Sequence, residues 1–190
     1  MWGAEKVEGK LTGGEDSQAE TFWQVIDSAR AESQGVLKRQ TELIEERLQS
    51  SEPSAILAFQ QHLGFAMDDA NTWDLMAACY LINGEAFDGT FECFCGWLVM
   101  QGKSFYNATL DDPESLADYP ELQLYRAMWG EITELPERVY REKVGGYTGL
   151  YREYTNTKGA PWNEDELRNR YPRLWATYSD GLVGKMGGSP

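Results

Sequence analysis

The stretch WDLMAACYLIN, residues 73–83, decides how this chain folds. Its apolar run over residues 75–82 carries too little polarity for a helix that faces water along one side. Asn71 or Thr72 can cap the helix at its start, and Asn83-Gly84 is a turn signal at its end. The sequence therefore predicts a central helix that other helices surround.

A second apolar segment follows directly, over residues 87–101. Phe91, Phe94, Cys95 and Leu98 recur at the spacing i, i+3, i+4, i+7, which is typical of one face of a helix. Taken alone the segment is compatible with a strand, but its length of about 15 residues favours a helix. We expect the two segments to form a buried central helix pair.

Three helices are predicted before this pair. Ser17 can cap the first, which Gly35 ends or breaks, and the second has an inner stripe that runs from Leu37 to Leu48. The third begins at Pro53, which is acceptable in a first turn, and continues to about Gly64.

Further helices are predicted after the pair. Asp112 can cap a short one, residues 122–128 and 132–140 give two more, and Asn163 with Glu166 forms a capping box for another. A last helix is predicted from Tyr171-Pro172 to Asp180-Gly181. Within residues 140–160, Gly145-Gly146 predicts an interruption and residues 155–160 a loop, while residues 147–154 are aromatic without a pattern that indicates a helix or a strand.

These segments predict an all-α fold, a compact multi-helix domain with an aromatic-rich C-terminal extension. The chain has 190 residues, 42% of them hydrophobic and 13% aromatic, which is enough to build one core. We expect a flexible tail over residues 1–16, one helical domain over 17–183 and a second tail over 184–190. Within the domain, residues 17–118 form the helical core and residues 119–183 pack on it.

Charge excludes several classes of function. Lys and Arg total 17 against 31 Asp and Glu, so the net charge is −14. Such a surface repels phosphate backbones and anionic membranes, and we expect no direct binding to a nucleic-acid backbone and none to a membrane. No apolar run reaches the roughly 18 residues of a membrane span, and no secretory signal is visible. Three cysteines in apolar surroundings favour reduced thiols, and we expect a cytoplasmic protein.

No catalytic pattern is recognisable. The chain has one histidine, His62, and lacks Gly-x-Ser-x-Gly, Gly-x-Gly-x-x-Gly and Walker-type motifs. The densest group of acids, from Asp68 to Asp88, is explained by the electrostatics of helix starts. We therefore predict no catalytic residues, no metal site and no cofactor, and we expect that the protein is not an enzyme.

Several segments together resemble the bacterial family known as domain of unknown function 4240. They are 20–27 (ETFWQVID), 56–59 (ILAF), 73–75 (WDL), 77–84 (AACYLING), 88–91 (DGTF), 96–98 (GWL), 101–102 (QG), 112–117 (DPESLA), 161–167 (PWNEDEL) and 172–175 (PRLW). The resemblance implies a bacterial intracellular protein and supplies no catalytic residues. The chain departs from the family's usual polar turn at residues 84–88, and it has Cys95 where an arginine is common.

Our leading hypothesis is a non-enzymatic, acidic protein that binds a protein partner, possibly a basic one, of the regulatory or toxin-neutralising type. Tyr and Trp suit partner surfaces, although they can equally attach the extension to the core. The aromatic residues open to either interpretation are Tyr125, Trp129, Tyr140, Tyr147, Tyr151, Tyr154, Trp162 and Trp175. The candidate partner surface consists of Tyr147, Tyr151, Tyr154 and Trp162.

The alternative is a small-molecule-binding protein or an enzyme with a pocket between the central helices. The side chains that would line this pocket are Trp73, Asp74, Tyr80, Asn83, Asp88 and Trp97. A third hypothesis is a nucleic-acid mimic that presents a stripe of carboxylates in place of phosphates.

Overall fold

The computed structural model describes residues 13–122, 126–150 and 156–186, without the side chains of residues 13–16, 88 and 181–186. Its α-helices are α1 (Gly13–Glu32), α2 (Leu37–Ser50), α3 (Pro53–Asp69), α4 (Trp73–Asn83), α5 (Asp88–Met100), α6 (Lys103–Asp111), α7 (Glu131–Val144), α8 (Glu164–Arg170) and α9 (Pro172–Met186). Two short 3₁₀ helices, Pro113–Asp118 and Pro120–Leu122, follow α6. Within the described ranges no residue belongs to a sheet strand, and the all-α prediction is confirmed.

The central pair consists of α4 and α5, as predicted. Thr72 caps α4 by accepting a hydrogen bond from the Leu75 amide at 3.1 Å, and Gly84 ends it with a φ of 78°. Every residue from Phe94 to Met100 in α5 is buried. The apolar runs thus form the centre of the core because they have no polar face to turn outward.

The other helices pack on the two members of this pair. Helix α5 contacts α1, α3 and α7, and α7 also lies against α2 and α3. On the other side, α4 contacts α9 and the 3₁₀ helix Pro113–Asp118. Glu114 in that 3₁₀ helix caps α9, since its Oε1 accepts hydrogen bonds from the amides of Arg173 at 2.7 Å and Leu174 at 3.3 Å.

Three predicted helix boundaries differ from the structure, and one helix was not predicted. Helix α1 begins at Gly13, so Ser17 lies inside it and its carbonyl accepts a hydrogen bond from the Thr21 hydroxyl. Helix α9 continues through Gly181, because an isolated glycine costs a helix only about 1 kcal/mol. Helix α1 thus enters the predicted tail over residues 1–16. Helix α9 passes its predicted end at Asp180-Gly181 and enters the predicted tail over residues 184–190. Helix α3 runs beyond Gly64 to Asp69, and α6 was not predicted.

The predicted helix over residues 122–128 is absent at residues 126–128, whereas Leu122 ends the 3₁₀ helix Pro120–Leu122. Residues 126–130 are irregular, and residues 123–125 lie outside the described ranges. The Trp129 amide donates to the Cys93 carbonyl at 2.8 Å and its indole donates to Thr41 Oγ1 at 2.9 Å. These contacts with α5 and α2 replace the hydrogen bonds that a local helix would make.

Among the helices of the described residues, none combines the length and the apolar character that a membrane crossing requires.

Candidate functional site

Two residues of the predicted pocket belong to the core. Asn83 is fully buried and its amide lies 3.6 Å from Cys79 Sγ. Trp97 is 4% exposed, with its ring 5.7 Å from Phe94 and 6.0 Å from Phe105. Both side chains are therefore held in packing contacts.

Three others attach the C-terminal extension to α4. The Trp162 indole donates to the Trp73 carbonyl at 2.8 Å, and its ring lies 5.4 Å from that of Tyr80. Asp74 accepts hydrogen bonds from Arg170 at 2.8 Å and from the Tyr171 hydroxyl. The structure thus brings Trp73, Asp74 and Tyr80 together against the extension.

The side chain of Asp88, the sixth predicted pocket residue, lies outside the described residues.

The predicted partner surface separates into packed and exposed members. Trp162 packs on the core, as do Trp129, Tyr140 and Trp175. Tyr147 is 74% exposed. Tyr125, Tyr151 and Tyr154 lie outside the described residues.

Tyr147 stands at the rim of a groove of about 440 Å³ between α3, α7 and the segment 145–150. Polar and charged side chains make up most of its walls. The lining residues are Gln60, Thr133, Glu134, Glu137, Arg138, Arg141, Tyr147, Thr148, Gly149 and Leu150. We call it the α3/α7 groove.

The carboxylate of Glu137 connects the walls of the groove by hydrogen bonds. Gly145, with a φ of 78°, ends α7 and turns the chain back, so that Thr148 donates to Glu137 through both its amide, at 3.3 Å, and its hydroxyl. Gln60 Nε2 donates to the same carboxylate at 3.4 Å. Glu137 therefore joins α3, α7 and the segment 145–150.

These donors also fix the charge of Glu137. Partial burial by itself would raise its pKa, but the hydrogen bonds from Thr148 and Gln60 and the charge of Arg141 outweigh that effect. The pKa of Glu137 lies below its ordinary value, and the side chain is a carboxylate at neutral pH.

Gln60 leaves one acceptor without a partner. Its Nε2 lies between two acceptors, the Glu137 carboxylate and the Leu150 carbonyl at 3.5 Å, which fixes the orientation of the amide. Its Oε1 is shielded from solvent and accepts no hydrogen bond from the described residues. A buried acceptor without a donor is unfavourable.

The charged side chains of the groove differ in their partners. Arg138 is paired with Glu45 through contacts of 2.6 and 3.4 Å. Arg141 places its guanidinium 6.0 Å from the centre of the Tyr147 ring, at the outer limit of a cation–π contact. Glu134 is exposed and forms no ion pair with a described residue.

Exposed apolar side chains accompany the groove. Tyr147 is followed by Leu150, which is 41% exposed, and preceded by Val144 at the end of α7, which is 47% exposed. We call these three residues the Tyr147 patch. Contiguous exposed apolar area is typical of a contact surface, whereas single exposed hydrophobic residues are ordinary.

A second groove, of about 300 Å³, lies between α1, the end of α2 and α3. Its apolar walls include Phe22, Leu48 and Phe59, which are core residues.

The cysteines and acids of the described residues show no reactive arrangement. Burial raises the pKa of the Cys79 thiol to about 12 and also raises that of Cys93, which makes both poor nucleophiles at neutral pH. In the part of the chain that the structure describes, no three His, Cys, Asp or Glu side chains are placed to share a metal ion.

Most residues that line the α3/α7 groove were not predicted from the sequence. Glu134, Glu137, Arg138 and Arg141 follow helical spacing on one face of α7, which was a usable signal. The contribution of Gln60 was not visible, because it comes from α3, far away in the chain.

The sequence model of a family described as "Protein of unknown function (DUF4240)" matches residues 18–142. The matched range includes the α3 and α7 walls of the groove and ends before Tyr147. No curated protein and no solved structure matches the chain significantly.

Proposed function

The chain belongs to the DUF4240 family of proteins of unknown function, and we propose that it is a non-enzymatic protein that binds a basic protein partner. The contact surface of this proposal is the Tyr147 patch together with the rim of the α3/α7 groove.

The exposure of Tyr147 is the observation that carries the proposal. Trp129, Tyr140, Trp162 and Trp175 pack on the core, whereas Tyr147 presents 74% of its surface to solvent. Tyrosine buries a large area at a low entropy cost, and it is enriched among the residues that dominate binding energy. Val144 and Leu150 supply apolar area beside it.

The net charge of −14 supports a basic partner. A strong field of one sign accelerates encounter with a partner of opposite charge and disfavours partners of the same charge. Binding should therefore weaken as salt is added, since exposed charges are screened beyond about 8 Å at physiological ionic strength.

The groove chemistry favours binding over proton transfer. Glu137 has a lowered pKa and three hydrogen-bond donors, so it is a weak base that stays charged at neutral pH. A regulatory or toxin-neutralising role is compatible with such a surface.

We further propose that the protein acts in the bacterial cytoplasm. Cys79 and Cys95 are buried, Cys93 is partly buried, and none of the three forms a disulfide. Free thiols are usual in a reducing compartment.

The test is retrieval from the native host with a matched pair of variants. Tyr147→Ser removes the exposed ring, and Phe87→Ser removes a ring that is also 74% exposed but lies on a different element. We expect the wild type and Phe87→Ser to retain one stoichiometric basic protein that Tyr147→Ser loses, with retention falling as salt increases. Absence of a stoichiometric partner, or equal loss with both variants, contradicts the proposal.

A further inference from the structure

We propose that the α3/α7 groove binds the side chain of an arginine, and that the proposed protein partner supplies this arginine. The inference deepens the proposed function and rests on it only for the source of the ligand. The groove's affinity for an arginine side chain can be measured without the partner.

The Tyr147 ring already has a guanidinium at the outer limit of a cation–π contact. Arg141, one turn before the end of α7, places its guanidinium 6.0 Å from the ring centre. Planar guanidinium groups stack on aromatic faces and are less strongly hydrated than an ammonium group. Because Tyr147 is exposed, an arginine from outside the chain can reach the same ring.

The groove also offers acceptors that the described residues leave unused. A guanidinium has five N–H donors in a rigid plane and no acceptor, so it requires several oxygens around it. The Glu134 carboxylate is exposed on the wall and forms no ion pair with a described residue. Gln60, which also lines the groove, has its Oε1 without a donor among the described residues.

The charges of the groove favour a cation over an anion. Arg138 is neutralised by Glu45, which leaves Glu134 and Glu137 against Arg141. The negative charge of the whole chain acts in the same direction. A carboxylate or phosphate ligand would meet two groove carboxylates, whereas an arginine would meet one cation.

The guanidinium of Arg141 competes with the ligand arginine for the Tyr147 ring. It is exposed, so it can swing into water, and the arriving arginine takes its place over Tyr147. Removing Arg141 should therefore strengthen binding, since the ring becomes free and one repulsive charge is lost.

The experiment is an NMR titration of the full chain with three short peptides. The probe is acetyl-Gly-Leu-Arg-Gly-amide, compared with peptides that carry lysine or citrulline in place of arginine. Citrulline keeps the shape of the side chain and removes its charge. We expect the arginine peptide to shift the Gln60 side-chain amide and the Thr148 backbone amide, with lysine weaker and citrulline about tenfold weaker or more, as expected for a lost charge-assisted contact.

Three variants complete the test. Arg141→Gln should bind the arginine peptide several-fold more tightly and Glu134→Gln several-fold more weakly. Glu142→Gln, an equal charge change on the same helix at an exposed position that does not line the groove, should leave affinity close to the wild-type value. Unperturbed circular dichroism of each variant shows that it remains folded.

Equal binding of the citrulline peptide, or an Arg141→Gln variant that binds no more tightly, overturns the inference. Shifts that spread over other surfaces also overturn it. If the peptides fail while a host protein is still retained through Tyr147, the inference falls and the proposed function stands. If the arginine peptide behaves as expected but no partner exists, the proposed function falls and the groove specificity stands.

Discussion

The carboxylate of Asp27 in α1 occupies the space beside Gly102 in which a side chain at that position would lie. Asp27 Oδ1 accepts a hydrogen bond from the Lys103 amide at 3.0 Å and so caps α6 from another helix. Gly102 has a φ of +91°, and a Cβ built there would overlap Asp27 Oδ1. The acid and the glycine, which lie in two separate segments that resemble the family, therefore form a single contact.

Replacing Gly102 with alanine should destabilise the protein. The backbone of Gly102, with a φ of 91° and a ψ of 163°, lies in a region that essentially only glycine adopts, at a cost of about 1–3 kcal/mol for another residue. Displacing Asp27 also removes a helix cap worth about 1 kcal/mol. We expect a loss of roughly 2–4 kcal/mol in the free energy of unfolding, measured by urea denaturation.

Gly64→Ala is the control for Gly102→Ala. Gly64 lies within α3 with no atom within 4 Å of an added Cβ, so the exchange should stabilise by up to about 1 kcal/mol. Equal effects of the two substitutions would show that Asp27 does not require a glycine at position 102.

Gly96→Ala tests the contact between α5 and the chain before α7. An added Cβ would lie 2.5 Å from the Trp129 carbonyl oxygen and 3.1 Å from Ile132 Cγ2. Because the first of these is backbone, the helices must move apart, at a cost of about 1–3 kcal/mol in thermal or urea unfolding. Gly89→Ala, in the same helix with open space around it, should be nearly neutral, and a comparable loss there would contradict this account.

The hydrogen bonds to Glu137 predict a dependence of stability on pH. Since the pKa of Glu137 is lowered in the folded chain, its contribution is complete above the ordinary pKa of 4.5 and is lost as pH falls through the folded value. At pH 7 the Glu137→Gln variant should therefore have a lower free energy of unfolding than the wild type, measured by urea denaturation. This difference should become smaller at pH 4.

Glu142→Gln is the control for Glu137→Gln. The free energy of unfolding of Glu142→Gln should stay close to that of the wild type at both pH 7 and pH 4. If the difference between Glu137→Gln and the wild type does not change with pH, the hydrogen bonds from Thr148 and Gln60 do not stabilise the carboxylate.

The buried hydroxyl of Tyr178 in α9 attaches the C-terminal extension to the carbonyls of Leu116 and Tyr119. The Tyr178 side chain is 1% exposed, and its hydroxyl lies 2.7 Å from the Leu116 carbonyl and 2.6 Å from that of Tyr119. Tyr178→Phe removes this shared donor, although the Leu116 carbonyl still accepts from the Tyr119 amide and the Tyr119 carbonyl from the Leu122 amide, and it should cost about 0.5–1.5 kcal/mol in unfolding free energy. Tyr147→Phe, at an exposed ring, should be neutral, and unfolding of the Tyr178 variant at the wild-type midpoint would show that the hydrogen bond contributes nothing.

Local signals were sufficient wherever an element determines its own ends. The bounds of α4 follow from Thr72 and Gly84, and α8 is capped by Asn163, whose Oδ1 accepts from the Glu166 amide at 3.2 Å. Helix α6 was missed because its capping acceptor, Asp27, lies in α1. Periodicity within a segment carries no information about such a contact.

In the candidate sites, too, the sequence was insufficient wherever the position of a side chain depends on tertiary contacts. The composition of the central helices indicated pocket residues, but tertiary packing holds Trp97 in the core and places Asp74 against the extension. Tyr147 was named from the sequence as part of the candidate partner surface, which stays a prediction, and its ring is exposed. Its neighbour in space, Gln60, had no sequence signal, since α3 and α7 come together only in the folded chain.

Photo-crosslinking in the native host tests the central claim most directly. A benzoylphenylalanine replaces Tyr147 in one protein and Phe87 in another, because both positions are 74% exposed and carry aromatic rings. We predict one discrete adduct with a basic protein from position 147 and none from position 87. Absence of an adduct at position 147, or the same set of adducts from both positions, would contradict a partner surface at the Tyr147 patch.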